Sequence, residues 1–111
     1  MTDLNEQKKI AVIGDKDTVL IFKALGFDVF YENEAIGIKR VLRGLIDEQY
    51  TIILITEKHA ELAAELIQSR AEIAYPIILP IPDGIMNTGY GIQRIAKNIE
   101  KALGGIGGGL K

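Results

Sequence analysis

The stretch Tyr75-Pro76-Ile77-Ile78-Leu79-Pro80-Ile81-Pro82 decides the fold. Its apolar core is continuous rather than alternating and too short for a helix. That pattern fits a strand of a parallel sheet covered on both faces. Two prolines close its carboxyl end. Proline cannot donate to a ladder, so the strand belongs at a sheet edge, where prolines also block pairing with another chain. In an open α/β sheet, ligands bind at the carboxyl ends of the strands. Here that end carries prolines and isoleucine, with nothing able to hold a phosphate, a metal or a proton.

Three further apolar runs lie upstream: Ile10-Ala11-Val12-Ile13, Val29-Phe30-Tyr31 and Ile52-Ile53-Leu54-Ile55. The first and third are continuous. The second begins Phe27-Asp28-Val29, with one charge inside it, as at a wetter sheet edge. Helical patterns fill the gaps. Asp15 or Asp17 caps the first, which runs through Leu25 to a stop at Gly26. Ile38, Val41, Leu42, Leu45 and Ile46 form the apolar stripe of the second, with Asn33 as its expected cap. Thr56 is the expected cap of the third. Its inner face is Ala60, Ala63, Leu66 and Ile67, and its outer face is Glu57, Lys58, Glu61 and Glu65. Ile92, Ile95, Ala96, Ile99 and Leu103 make the stripe of the last.

Strand and helix therefore alternate throughout, which predicts a parallel sheet with right-handed crossovers. The fold class is α/β: a small four-stranded parallel, doubly wound sheet of flavodoxin-like, Rossmann-like type, ordered 2-1-3-4, with a C-terminal helix. Residues 1–8 read as a flexible N-terminal extension and residues 9–103 as a single domain. Residues 104–111, with five glycines in eight positions, read as a flexible tail.

Composition removes several function classes. The 111 residues fit one domain, and a hydrophobic content of 48% excludes a disordered chain. Cysteine is absent, so disulfides, thiolate catalysis and cysteine-based metal sites are excluded together. No apolar run nears the ~20 residues needed to cross a membrane. Met1 to Lys9 lacks the apolar core of a signal peptide, so a cytoplasmic protein without membrane insertion is expected. Net charge is -2, from 13 basic and 15 acidic residues, which argues against a nucleic-acid binder. Lys39, Arg40 and Arg43 cluster beside Asp47 and Glu48 as a solvated helix face.

Candidate chemistry is sparse. Gly14-Asp15-Lys16-Asp17 holds one glycine where a dinucleotide loop needs three, and no P-loop follows. Response-regulator receiver domains share this architecture and hold Mg²⁺ through an acidic pair after the first strand. Asp15 and Asp17 imitate that pair. However, the third strand ends in Ile55-Thr56-Glu57 rather than an aspartate. Pro80-Ile81-Pro82 replaces the hydroxyl residue after the fourth, and a lysine-bearing fifth strand is missing. Helix capping is the plainer role for Asp15 or Asp17. His59, the single histidine, has no evident nucleophile or orienting partner and is expected at the surface. No catalytic residue, cofactor or metal ligand is expected. Ile85, Met86 and Tyr90, in the loop from Asp83 to Gly91, are apolar residues that suit a partner surface or fold back onto the core.

From Lys9 to about Gly104 the chain resembles the F subunit of V-type ATPases and archaeal-type ATP synthases, called the G subunit in some bacterial operons. The resemblance is carried by Ile10-Ala11-Val12-Ile13-Gly14-Asp15, Asp17-Thr18, Phe22, Leu25-Gly26, and Tyr50 with Ile52 to Glu57. It continues through Pro76, Pro80-Ile81-Pro82, Gly89-x-Gly91 and Ile99-Glu100-Lys101-Ala102 with Gly104. It implies a non-catalytic rotor component of the central stalk. Such a component pairs with the coiled-coil D subunit and helps couple ATP hydrolysis or synthesis to H⁺ or Na⁺ transport. The alternative is a receiver-like signalling domain, and a third reading is a small enzyme with an unrecognised site. On the rotor reading, the partner-binding candidates are the last helix and the loop before it. They are Ile85, Met86, Tyr90, Gln93, Arg94, Lys97, Asn98 and Lys101, with Ile92, Ile95 and Ile99 turned to the sheet.

Overall fold

The structure, a computed structural model, describes residues 9–84 and 91–104. The elements run β1 (Ile10–Gly14), α1 (Lys16–Ala24), β2 (Asp28–Tyr31), α2 (Ala35–Asp47), β3 (Ile52–Thr56), α3 (Glu57–Leu62), α4 (Ala64–Ser69), β4 (Ile77–Ile81) and α5 (Ile92–Gly104). The four strands form one parallel sheet in the order β2-β1-β3-β4. This is the predicted order, with β2 and β4 at the edges. Expectations for residues 1–8, for Ile85, Met86 and Tyr90, and for residues 105–111 lie outside the described residues, as do those for the side chains of Ile92 and Leu103.

Alternation along the strands divides the core in two. Ile10 and Val12 of β1, with Ile52 and Leu54 of β3, pack against Phe22 of α1 and Ile95 and Ile99 of α5. Ala11, Ile13, Ile53 and Ile55 face the other way, against Ile38, Leu42 and Leu45 of α2 and against Ala63. Central strands buried on both faces are the physical origin of the continuous apolar runs.

The helix ends follow local chemistry. Asp15 caps α1: its Oδ2 accepts from the Thr18 amide at 3.2 Å and its Oδ1 from the Thr18 hydroxyl at 2.8 Å. Beyond the end of α1, Gly26 takes a φ of 94°. The amide of Phe27 donates to the Phe22 carbonyl at 3.1 Å, and that of Gly26 to Lys23 at 3.0 Å. The Phe22 and Phe27 rings stack with centroids 5.8 Å apart. A Schellman closure of this kind favours glycine at the left-handed position.

Three local expectations are corrected. Asn33 does not cap α2. Glu34 holds the N-cap position without a side-chain bond, because the Asn33 amide instead donates to the Tyr31 hydroxyl at 3.1 Å. Thr56 stands at the N-cap of α3, but its side chain makes no cap bond, being engaged by His59. The third helix is two short helices, broken at Ala63. No glycine or proline marks the break, which leaves Ala63 fully buried against the sheet.

At β4, the Ile77 amide donates to the Thr51 carbonyl at 2.9 Å, toward β3. Backbone groups alternate sides along a strand. The positions of Leu79 and Ile81 therefore also face β3, while those of Ile78 and Pro80 face outward. Pro80 thus occupies a position whose N–H would point away from the sheet, so it interrupts no ladder bond and leaves Ile78 as the sole outward donor of β4. That explains how the strand extends through Pro80 to Ile81.

Candidate functional site

The first place to look is the crevice outside the carboxyl ends of β1 and β3, where the chain reverses its winding direction. It is filled by its own side chains. A Cβ added to Gly14 would stand 2.9 Å from the Thr56 Cγ2, so the threonine methyl already covers β1. The Thr56 hydroxyl lies 2.8 Å from His59 Nδ1, and His59 Nε2 lies 2.5 Å from the Glu32 carbonyl oxygen. A carbonyl only accepts, so Nε2 carries a proton and donates. In the neutral ring Nδ1 then accepts from the threonine.

This corrects the expectation for His59, which is buried, with 7% of its surface exposed. Thr56 is fully buried as well. A hydroxyl, an imidazole and an oxygen in a row superficially suggest an activated nucleophile. No substrate reaches a fully buried hydroxyl, so the row works as a latch that ties β3, the start of α3 and the segment after β2 together. The spacing Thr56-x-x-His59 at a helix start is visible in the sequence. The Glu32 carbonyl, 27 residues away, is not.

The acidic pair is divided. Burial alone would raise the Asp15 carboxyl pKa, but the bonds from the Thr18 hydroxyl and amide outweigh it, and the net shift is downward. Both oxygens are committed to that cap. Asp17 is an exposed residue in the first turn of α1. Among the described residues, no group of three or more His, Cys, Asp or Glu could hold a metal ion. Asp83, beyond β4, accepts from the Lys58 amide at 3.0 Å and so serves α3.

The second place is the outer flank of β4. A cavity of about 280 Å³ lies between β4 and α5, bounded by Leu54, Leu79, Pro80, Ile81 and Ile95 on its apolar side and by Asn98, Lys101 and Ala102 along the helix. Ile95 and Ile99 are almost fully buried, which anchors α5 to the sheet by roughly 1.5–3 kcal/mol each. That leaves Gln93, Arg94, Lys97, Asn98 and Lys101 on the exposed side. The structure therefore gathers five of the eight candidate partner residues on one helical face, and two of them, Asn98 and Lys101, line the groove. Arg94, Lys97 and Lys101 follow each other at i, i+3 and i+7, with Glu100 as the sole acidic residue of α5. A helix carrying three cations and one anion, in a chain of net charge -2, is a local basic stripe.

The contribution of the strand to this groove is not visible in the sequence. There Leu79, Pro80 and Ile81 look like the closed end of a sheet, whereas in the fold they form one wall of an open trough.

A family model described as ATP synthase (F/14-kDa) subunit matches residues 10–99, nearly the whole described fold. The chain belongs to this family. It is 41% identical over 96 residues to the F subunit of a V-type ATP synthase from Fusobacterium nucleatum, covering 86% of this chain and 91% of the relative. The F subunit of a V-type ATP synthase from Clostridium perfringens is 40% identical over 97 residues, covering 87% and 92%. The F subunit of an A-type ATP synthase from Pyrococcus furiosus is 37% identical over 102 residues, covering 86% and 94%. The chain is thus one component of a rotary ATPase of the V/A type, as the resemblance implied. The family match runs from the first residue of β1 into α5, so the latch at Thr56 and most of the groove beside β4 lie within it. No helix among the described residues is long and apolar enough to cross a membrane.

Proposed function

We propose that this chain is a non-catalytic rotor component of the central stalk of a V-type ATPase or ATP synthase. It binds the coiled-coil D subunit through α5 and helps couple ATP hydrolysis or synthesis to H⁺ or Na⁺ transport. It works at the cytoplasmic side, peripheral to the membrane, as part of the complex.

The observation that carries this reading is the contrast between a filled strand-end crevice and an exposed, basic, groove-bordered helix. A rotor part needs a rigid body and an adhesive face, and it needs no constellation of acid, base and nucleophile. The basic stripe of α5 suits acidic positions on a long helix, and the trough beside it suits apolar ones. A coiled-coil shaft offers both on one surface.

The test is a titration of the purified coiled-coil D subunit with the full chain by calorimetry. Saturable one-to-one binding is expected. Replacing Arg94 and Lys101 together by Glu should weaken it while leaving the unfolding midpoint where it is. Unchanged affinity would remove α5 as the main contact.

A further inference from the structure

We propose that the amino-terminal segment of this chain, residues 1–8, folds back onto the body. It seats Leu4 in a cavity at the amino-terminal end of the sheet and sets Asp3 on Arg70 at the rim. The segment lies outside the described residues and upstream of the family match, which starts at residue 10. The contact is intramolecular and does not depend on the rotor role.

The cavity measures about 400 Å³ and is bounded by Ile46, Gln49, Tyr50, Thr51, Tyr75 and Pro76. It opens where α2 ends and where the chain enters β3 and β4. Ile46 and Tyr50 pack in the core layer under α2. Tyr50 is buried, whereas Tyr75 is 47% exposed. One wall is thus finished core and the other a bare ring. Gln49 and Thr51 add an amide and a hydroxyl, the donors and acceptors that a peptide backbone needs when it leaves water.

Lys9 fixes where the segment starts. Its carbonyl accepts from the amides of Thr51 at 2.8 Å and Ile52 at 3.3 Å. Its Nζ sits 4.5 Å from the centroid of the Tyr50 ring and donates to the Glu48 carbonyl at 3.2 Å. The chain upstream of Lys9 therefore leaves from beside Tyr50 and Thr51, two of the residues that bound the cavity. β4 is two strands from β1, so its start lies ~10 Å away at ~4.8 Å per strand. Leu4 stands five positions before Lys9, a reach of up to ~17 Å at ~3.3 Å per residue. It attains the cavity with length to spare. Tethering also holds the segment at a roughly millimolar effective concentration, an advantage that a free peptide lacks.

The chemistry of the segment fits the site. In Thr2-Asp3-Leu4-Asn5-Glu6-Gln7-Lys8, Leu4 is the single apolar side chain, with a carboxylate beside it. The Arg70 Nη2 donates to the Tyr75 carbonyl at 3.1 Å, which sets the guanidinium at the rim of the cavity. Arg70 also lines a trough of about 350 Å³ on the side of β4 opposite α5, and Pro76 borders both spaces. The Arg70 Nε has no hydrogen-bond partner and is sealed from solvent. A buried guanidinium N–H left unpaired is costly. A carboxylate held one residue from Leu4 is the charged acceptor that it lacks.

The experiment is solution NMR on the full, isotope-labelled chain, with circular dichroism to check that each variant keeps its fold. Nuclear Overhauser contacts are expected from the Leu4 methyls to the rings of Tyr50 and Tyr75. Backbone order parameters of residues 3–8 should exceed the ~0.6 that marks a flexible chain. Leu4→Asp should abolish the contacts and lower the order parameters. It should also speed amide exchange about tenfold at Ile77, whose bond to the Thr51 carbonyl flanks the cavity. Asp3→Asn should keep the Leu4 contacts and shift the Arg70 Nε–H resonance. An unmoved Arg70 resonance would overturn the assignment of Asp3 to Arg70. Order parameters below ~0.6 throughout residues 1–8 with no Leu4 contact would overturn the docking itself, and so would Leu4 contacts to another part of the fold. The expected contacts, seen only between differently labelled chains in a mixed sample, would assign the cavity to the segment of a second copy, with the same consequence.

Discussion

The carboxyl ends of β1 and β3 and the outer flank of β4 lie on the same sheet, yet they differ in how their polar groups are used. At the strand ends, Asp15, Thr18, Thr56 and His59 spend their hydrogen bonds on one another and on the Glu32 carbonyl. At the flank of β4, polar groups line troughs: Asn98 and Lys101 on one side, Arg70 with an unpaired Nε on the other. The first region holds the fold, and the second leaves polar groups at the rims of open troughs. A sheet of this type normally places its ligand at the strand ends. Filling that place with a latch while leaving the edge open is the contrast on which the proposed rotor role rests.

The comparison breaks most decisively at His59. Replacing it by Ala leaves the Thr56 hydroxyl and the Glu32 carbonyl without their partner and opens space at a residue only 7% exposed. A loss of roughly 2–4 kcal/mol is expected in denaturant unfolding, while affinity for the coiled-coil shaft per folded molecule stays unchanged. A His59→Ala chain of full stability that had lost a binding or chemical activity would show the crevice to be a working site.

The complementary change is on the helix. Replacing Arg94 and Lys101 by Glu is expected to weaken binding to the shaft by about 1–2 kcal/mol, with a larger effect on the association rate than on dissociation. The effect should shrink as salt is raised. Stability should hold within about 0.5 kcal/mol, since both residues are exposed. Loss of folding in place of binding would mean that the helix face is structural, like the crevice.

Asp15 gives a smaller and pH-dependent test. Its carboxyl titrates lower in the folded chain than its usual value of 3.8 because of the Thr18 bonds. The unfolded chain therefore takes up its proton first as pH falls. The cap's stabilisation is full above the unfolded value and is lost as pH drops from there through the folded value. Asp15→Ala should cost ~1 kcal/mol at neutral pH and flatten the acid limb of the stability profile. Added Mg²⁺ should move no amide resonance at Asp15 or Asp17. A Mg²⁺-dependent shift there would revive the receiver-like reading.

Much of the architecture was legible because it is written in periodicity. The continuous runs at residues 10–13 and 52–55 name central strands, the charge at Asp28 names an edge, and the stripe from Ile38 to Ile46 names a helix over one face. What escaped depends on distance in sequence. His59 looks like a surface residue because its acceptor, the Glu32 carbonyl, belongs to the backbone and is approached only through the fold. Asn33 looks like a cap, but the Tyr31 hydroxyl competes for its side chain. The break at Ala63 has no residue signature and reflects packing on the sheet. On the candidate site, exposed positions of α5 followed from its apolar stripe. The troughs did not, because each needs two elements to be seen side by side.

The smallest expected effect concerns Pro80. Its ring sits where no ladder bond is made, so Pro80→Thr breaks nothing in the sheet and restores an N–H that faces outward. Stability should fall by only ~0.4–1 kcal/mol, chiefly through greater freedom of the unfolded chain. The telling readout is association. With donors at both Ile78 and position 80, the edge becomes a template for another strand, and sedimentation should show concentration-dependent self-association absent from the parent. If instead Pro80→Thr stays monomeric and binds the coiled-coil shaft less well, the proline's role is to shape the trough wall rather than to guard the edge. The contrast between a filled end and an open flank would then rest on that one ring.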